Sequence, residues 1–180
     1  MLRKVLYLLL VSVIFAGAFA LTFAQEESKS PTKKEVVAFV KKAVLYAKKH
    51  GKEAALKEFM NKDGEFFDGE LYIYAYGNSS TSKKGTVISH GAKPHIVGKM
   101  IWNLKDPGGV LLIQELDKQA NSKSGSGWVE YMWAHPQKKK NWPKLGYVEI
   151  VKENNPEEDW WLGSGMYKTE ENKAFWEIWK

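Results

Sequence analysis

Aromatic residues at alternating positions are the first feature of this sequence that could do chemistry. The six residues from position 71 read Leu-Tyr-Ile-Tyr-Ala-Tyr, so an extended strand would place Tyr72, Tyr74 and Tyr76 on one face. Tyr131 and Trp133 alternate in the same way further along the chain. A tyrosine presents a hydroxyl donor on a rigid, partly apolar body, which suits contact with a small polar ligand. The same row also suits cross-strand packing in a core, and the spacing leaves both interpretations open.

Other catalytic chemistries find little support in the composition. Cysteine is absent, which excludes disulfides, thiol nucleophiles and Cys-ligated metal centres. The four histidines are His50, His90, His95 and His135, and no two have the i, i+4 spacing of a zinc-hydrolase helix. Neither a Gly-x-Ser-x-Gly elbow nor a Gly-rich phosphate loop occurs. We therefore expect no enzyme, metal or cofactor, with an enzyme assembled from distant residues as the lesser alternative.

The basic residues are almost all lysines. The chain of 180 residues has a formal net charge of +6, and Arg3 is the only arginine among its 27 basic residues. Guanidinium groups dominate base recognition and bidentate phosphate binding. A chain with so little arginine is therefore not expected to bind nucleic acid.

The first 24 residues resemble an export signal. Arg3 and Lys4 form a short positive region, and the 20 residues Val5–Ala24 carry no charge and end in Thr-Phe-Ala. This pattern predicts a signal peptide cleaved after the run. An uncleaved anchor is the alternative, because 20 apolar residues also suffice to span a bilayer. Either way the domain is expected outside the cytoplasm, in a periplasmic or extracellular location, with residues 25–31 as a linker.

The segment after the linker has the period of a helix. Thr32 and Glu35 have the spacing of a capping box, and apolar residues then recur every three or four positions. Gly51 interrupts this pattern, and residues 52–60 resume it. The sequence predicts either one long bent helix or two helices joined at Gly51.

From Gly64 onward the apolar period changes to that of strands. Asp106 followed by Pro107 predicts an N-cap for a helix over residues 110–120. The order of elements predicts an α+β domain of PAS-like type, with a long N-terminal helix packed on a five-stranded, mostly antiparallel sheet. We expect the helices to cover one face of the sheet. The predicted strands span residues 71–76, 86–90, 128–133, 146–151 and 160–167.

Five sequence blocks occur in order between residues 33 and 168. They read FFDGELYIY (66–74), GTVISH (85–90) with GK (98–99) and KDPGG (105–109), GWVEYMW (127–133), KLGYV (144–148) and DWWLGSGMY (159–167). In this order they resemble the single Cache domain, type 2, a PAS-like extracytoplasmic sensor module. Ala134 and His135 depart from the family pattern, in which a proline directly follows the tryptophan of the third block.

The resemblance implies a ligand and a role. Such domains enclose one small molecule over the concave face of the sheet, typically a short organic acid such as acetate, propionate, lactate or pyruvate. They belong to chemoreceptors and histidine kinases, and some are stand-alone exported proteins. We expect a ligand-binding domain over residues 32–168, a C-terminal tail over 169–180, and no output domain. The predicted function is a stand-alone sensor that captures an organic acid and signals to, or serves, a membrane receptor or kinase.

The resemblance also selects candidate ligand contacts. Because the mature chain would lack arginine, the cation that meets a carboxylate must be a lysine or a protonated histidine. An exported module that binds glycan or cell wall through exposed aromatics is the alternative function. The predicted ligand-binding residues are Tyr74, Tyr76, His90, Lys99, Tyr131, Trp133, Lys144 and Tyr147.

Overall fold

The computed structural model describes residues 30–169 and residue 172, so the predicted leader and most of the predicted tail lie outside the described residues. None of the described helices combines the length and apolar character needed to cross a bilayer. The helices are α1 (Lys33–His50), α2 (Lys52–Glu58) and α3 (Leu112–Ala120). The strands are β1 (Phe67–Asp68), β2 (Leu71–Tyr72), β3 (Tyr74–Gly77), β4 (Val87–His90), β5 (Ser126–Ala134), β6 (Asn141–Val151) and β7 (Trp160–Tyr167).

The N-terminal helical segment forms two helices. The Glu35 amide donates to Thr32 Oγ1 at 3.3 Å, and the Thr32 amide donates to Glu35 Oε2 at 2.7 Å, so the predicted capping box starts α1. Gly51 has φ +84°, a left-handed conformation that glycine adopts without steric strain. The chain therefore leaves α1 and enters α2 at Gly51, which confirms the two-helix alternative.

The main sheet of the described chain has five antiparallel strands in the order β4-β3-β7-β6-β5. The predicted strand over residues 71–76 is divided, because β2 pairs with β1 in a separate ribbon while β3 joins the main sheet. The predicted alternation nevertheless survives this division. Tyr72, Tyr74 and Tyr76 pack in one core cluster, and Ile73 and Ala75 pack in the other.

Helices cover both faces of the sheet, and the expectation of a single covered face is wrong. α1 and α2 pack on the face that carries Leu145 and Leu162. α3 packs on the opposite face with Trp161 and the tyrosine row. All eight residues of β7 are buried. A strand buried on both sides needs a covering layer on each face, and α3 supplies the second layer.

The start of α3 also differs from its prediction. Gly109 donates its amide to the Asp106 carbonyl at 2.9 Å, which closes a turn before the helix can begin. The Asp106 carboxylate accepts the amides of Val110 at 2.8 Å and Met132 at 2.6 Å. Asp106 therefore ties the segment before α3 to β5 and does not cap the helix, which begins at Leu112.

Candidate ligand-binding site

A narrow cleft lies between α3 and the sheet. Its interior is narrow, with room for about one water (about 10 Å³), and the volume reaches about 210 Å³ only when the open solvent at its mouth is counted. Leucines of α3 form one apolar wall, and aromatic side chains of the sheet form the other. The lining residues are Tyr74, Tyr76, His90, Leu112, Leu116, Tyr131 and Trp133.

Glycines on β6 and β7 leave room for these aromatic rings. A Cβ at Gly146 would lie 2.8 Å from the hydroxyl oxygens of Tyr74 and Tyr131. A Cβ at Gly163 would lie 2.8 Å from the Tyr74 ring. Contacts this short do not occur in unstrained structures, so only glycine lets the rings approach the sheet. Gly146 and Gly163 lie within the sequence blocks, but their types alone did not reveal this role.

The tyrosine hydroxyls of the cleft are neutral donors. Burial raises the pKa of Tyr74, Tyr76 and Tyr131 above its ordinary value. The Tyr131 hydroxyl donates to the Tyr74 hydroxyl at 3.4 Å, and Tyr74 donates to the Ser164 carbonyl at 3.2 Å. Tyr76 stacks on Trp161 with ring centroids 4.7 Å apart. Its hydroxyl forms no hydrogen bond with any described residue, so it is available to a ligand.

His90 contributes a donor to the cleft and no charge. Its Nδ1 accepts the backbone amide of Lys93 at 3.1 Å, which assigns the ring proton to Nε2. Burial, followed by the positive charges of Lys144 and Lys93, lowers the pKa of His90 to about 3. The imidazole is therefore neutral at physiological pH. Of the two cations considered from the sequence, this geometry favours lysine over protonated histidine.

Lys144 places a buried ammonium group behind the cleft. The side chain is fully buried, and its Nζ donates to the Tyr72 hydroxyl at 2.9 Å. The same Nζ lies 4.0 Å from the ring centroid of Tyr72, 4.7 Å from that of Tyr167 and 5.6 Å from that of Tyr74. Within residues 30–169 it forms no ion pair. Burial lowers the pKa of Lys144 to about 7, although the charge of Glu70 opposes this effect.

A second cation lies beside the cleft at Lys93, which the sequence did not single out. Its Nζ lies 4.6 Å from the Trp133 ring centroid, and partial burial lowers the pKa of Lys93. Lys93 lies in the loop after β4, where no periodic pattern indicates the direction of a side chain. Its position depends on the turn that joins its amide to His90.

Three predicted contacts do not line the cleft: Lys144 lies behind it, and Tyr147 and Lys99 lie elsewhere in the structure. Tyr147 is on the opposite face, where its ring packs at a tilt against Trp128 with centroids 4.9 Å apart and its hydroxyl donates to Glu149 Oε1 at 2.8 Å. Lys99 is exposed in a loop, and its backbone carbonyl accepts the Val87 amide at 3.0 Å. Alternation along β6 turns Lys144 and Tyr147 to different faces because their positions differ by an odd number.

His135, which departs from the family pattern, joins a polar cluster behind the cleft. Its Nε2 lies 2.8 Å from Glu70 Oε1, and its ring centroid lies 4.4 Å from that of Tyr167. The Tyr167 hydroxyl donates to the Ala134 carbonyl at 2.9 Å. Glu70 Oε2 is buried without a hydrogen-bond partner in the described chain. In the part of the chain that the structure describes, no group of three His, Asp or Glu side chains could hold a metal ion.

Comparison with known proteins gives the family. The family model for Single Cache domain 2 matches residues 23–180. A solved methyl-accepting chemotaxis protein from Vibrio parahaemolyticus is 28% identical, with a TM-score of 0.61, over 75% of this chain and 87% of that chain. A Cache chemosensory domain solved to explain carboxylic acid recognition is 25% identical, with a TM-score of 0.56, over 76% and 92% of the two chains.

A third structure, the periplasmic sensor domain of a chemotaxis protein, is 24% identical. It has a TM-score of 0.54 and covers 74% of this chain and 88% of that chain, and it supports the fold alone. The structural matches and the family model agree with the blocks found in the sequence, and they confirm the predicted α+β architecture. The chain belongs to the single Cache domain 2 family of extracytoplasmic sensor domains.

Proposed function

We propose that this chain is an exported sensor domain that binds a short organic acid in the cleft between α3 and the sheet. When the acid is bound, the domain signals to a membrane receptor or kinase. The observation that carries the proposal is the ammonium of Lys144, which is fully buried, has one hydrogen bond and forms no ion pair with a described residue. A buried charge is unfavourable unless it is paired. The charge of Glu70 offsets part of this cost without an ion pair to Lys144, and a ligand carboxylate would provide a direct counter-charge.

The electrostatics of the cleft favour an anion. None of the lining residues is a carboxylate, and the lining offers neutral donors from Tyr76 and His90. The charges of Lys144 and Lys93 act on the same region, because both lower the pKa of His90. A carboxylate next to these groups gains Coulomb energy and charge-assisted hydrogen bonds at once.

The walls of the cleft restrict the size of the ligand. Leu112, Leu116 and Trp133 line a narrow interior, so an acid of a few heavy atoms would enter by modest side-chain movement, whereas a larger acid would need the wall to open. The neighbour solved for carboxylic acid recognition supports this ligand class, and the methyl-accepting chemotaxis protein supports a receptor partner. The N-terminal signal pattern supports export.

Calorimetric titration of the protein with acetate, propionate, lactate and pyruvate in a carboxylate-free buffer tests the proposal. Tyr76→Phe removes the hydroxyl that lacks a partner among the described residues. It should weaken acid binding by about 10- to 100-fold while the free energy of unfolding changes by less than about 0.5 kcal/mol. Tyr147→Phe is the matched control, because its hydroxyl lies on the opposite face of the sheet.

Several outcomes would contradict the proposal. Equal affinity for acetate and for uncharged acetamide would mean that the carboxylate charge is not recognised. If Tyr76→Phe and Tyr147→Phe changed the affinity for acids equally, Tyr76 would be a packing residue and not a ligand contact. Binding of a glycan without binding of any acid would favour the alternative module, although no tryptophan from 30 to 169 is fully exposed.

A further inference from the structure

The loop between β5 and β6 carries a dense positive charge. We define the basic tip as Lys138, Lys139, Lys140 and Trp142. The three lysines are exposed, and the Nζ atoms of Lys138 and Lys140 lie 4.2 Å and 4.9 Å from the Trp142 ring centroid. None of these lysines forms an ion pair with a residue that the structure describes. Among the residues from 30 to 169, the tip therefore presents three lysine charges without an ion-pair partner, two of them over the Trp142 ring.

Lys139, at the centre of the basic tip, has an unusual backbone conformation for a lysine. Lys139 has φ +53°, a left-handed conformation that is otherwise confined to glycines in the described chain. Glycine or asparagine adopts this conformation with less strain than lysine. A charged lysine therefore occupies position 139, where the backbone conformation favours glycine or asparagine.

The basic tip lies at the end of the domain where the chain enters. The Trp142 indole donates to the Lys168 carbonyl at 2.8 Å, directly after β7. Ser30, the first described residue, donates its hydroxyl to the neighbouring Tyr167 carbonyl at 3.5 Å. The uncharged run ends at Ala24, and the six steps from there to Ser30 span at most about 21 Å. When that run occupies a bilayer, the tip is held close to the lipid headgroups.

We propose that, in the chain that retains its apolar N-terminal run, the basic tip docks on anionic phospholipid headgroups of the membrane holding that run. Lysines near a membrane surface are attracted to anionic lipids, and tryptophan favours the interfacial layer. Docking would fix the orientation of the domain relative to the bilayer. Docking would also take place next to the cleft, because Trp142 is the cross-strand partner of Trp133, which lines it.

Amine labelling of the full chain in nanodiscs tests this docking. One set of discs contains phosphatidylcholine alone, and the other contains phosphatidylcholine mixed with phosphatidylglycerol. Acylation of the three tip lysines by a water-soluble reagent, followed by mass spectrometry, should slow by about fivefold in the anionic discs. Added salt should reverse this protection.

Lysines at the other end of the sheet are the internal reference. Lys123 precedes β5, whose nine residues separate it from the tip by roughly 27 Å. Lys118 lies at the same end, near the C-terminus of α3. Lys83 joins this group because its loop is bonded to that helix end through Asn78 and Asn121. The labelling rates of these three lysines should be the same in both kinds of disc.

Two matched variants distinguish the effect of the tip lysines from the effect of the net charge of the protein. The variant K138Q/K139Q/K140Q and the control K83Q/K118Q/K123Q lose the same charge at opposite ends. Hydrogen exchange of residues 135–142 should be slowed by anionic discs in the wild type and the control, and not in the tip variant. Equal labelling in both discs, equal protection at Lys123, or protection that survives in the tip variant would each overturn the proposal.

Discussion

Replacing Lys144 by methionine should stabilise the empty domain while it removes most of the affinity for carboxylates. Methionine keeps much of the length and apolar volume of the lysine side chain and removes its charge. The ammonium is fully buried, with one hydrogen bond to Tyr72 and no ion pair to a described residue. The substitution therefore removes a buried charge from a site that compensates it poorly.

The magnitude follows from the lowered pKa of Lys144. Moving that pKa from 10.5 to about 7 corresponds to a penalty on the order of 5 kcal/mol for the charged form, at about 1.4 kcal/mol per pH unit. At pH 7 the folded lysine is half neutral, so the penalty is about 4 kcal/mol. Loss of the bond to Tyr72 and of the cation–π contacts with the Tyr72 and Tyr167 rings offsets part of the gain. We expect Lys144→Met to raise the free energy of unfolding by about 2–4 kcal/mol at neutral pH.

The advantage of the variant should depend on pH with a definite sign. Below about pH 7 the lysine is charged in both states, and the wild type bears the full penalty. Between about pH 7 and pH 10.5 the unfolded chain binds more protons than the folded one, so the wild type gains stability as pH rises. Urea denaturation at about pH 6 and about pH 9 should therefore show a smaller difference at the higher pH.

Lys99→Met is the control for this experiment, because that lysine is exposed in a loop. It should change neither the stability difference between the two pH values nor the affinity for acids. A Lys144→Met protein less stable than the wild type at about pH 6 would refute the argument. So would a variant whose advantage does not shrink at about pH 9, or one that binds acids as tightly as the wild type.

Two further predictions concern the groups that shape the cleft. Gly146→Ala places a methyl group 2.8 Å from the hydroxyls of Tyr74 and Tyr131, so the free energy of unfolding should fall by about 1–3 kcal/mol; an unchanged value in urea denaturation would show that the rings move aside freely. The buried Trp161 indole donates to Asp117 Oδ1 at 3.0 Å, and Asp117→Ala leaves this donor without an acceptor. The free energy of unfolding should therefore fall by about 3 kcal/mol. A thermal midpoint equal to that of the wild type would contradict this second prediction.

Local patterns predicted the elements that depend on neighbouring residues. The capping box at Thr32, the break at Gly51 and the alternation of Tyr72, Tyr74 and Tyr76 all appear in the structure as expected. Each depends on side chains and backbone within a few positions, and such short-range geometry is encoded directly in the order of residues.

The site was predicted only in part. Tyr74, Tyr76, Tyr131 and Trp133 line the cleft together, because even spacing within each strand kept them on one face. Tyr147 lies an odd number of positions from Lys144, and alternation alone places the two on opposite faces of β6. The sequence therefore contains the signal that separates Tyr147 from the site. Lys99 has no such signal, because it lies in an irregular loop.

The family, the main helices and strands and the residues of each strand that share a face follow from the sequence alone, whereas the separate β1–β2 ribbon was not predicted. The folded arrangement was needed to learn which of those faces meets α3 and that Lys93 lies beside the cleft. It was also needed to find the Lys144 ammonium among tyrosine rings. The difference lies in the range of the interactions. Alternation and capping act over a few residues, whereas burial and electrostatic fields depend on segments far apart in the chain that only folding brings together.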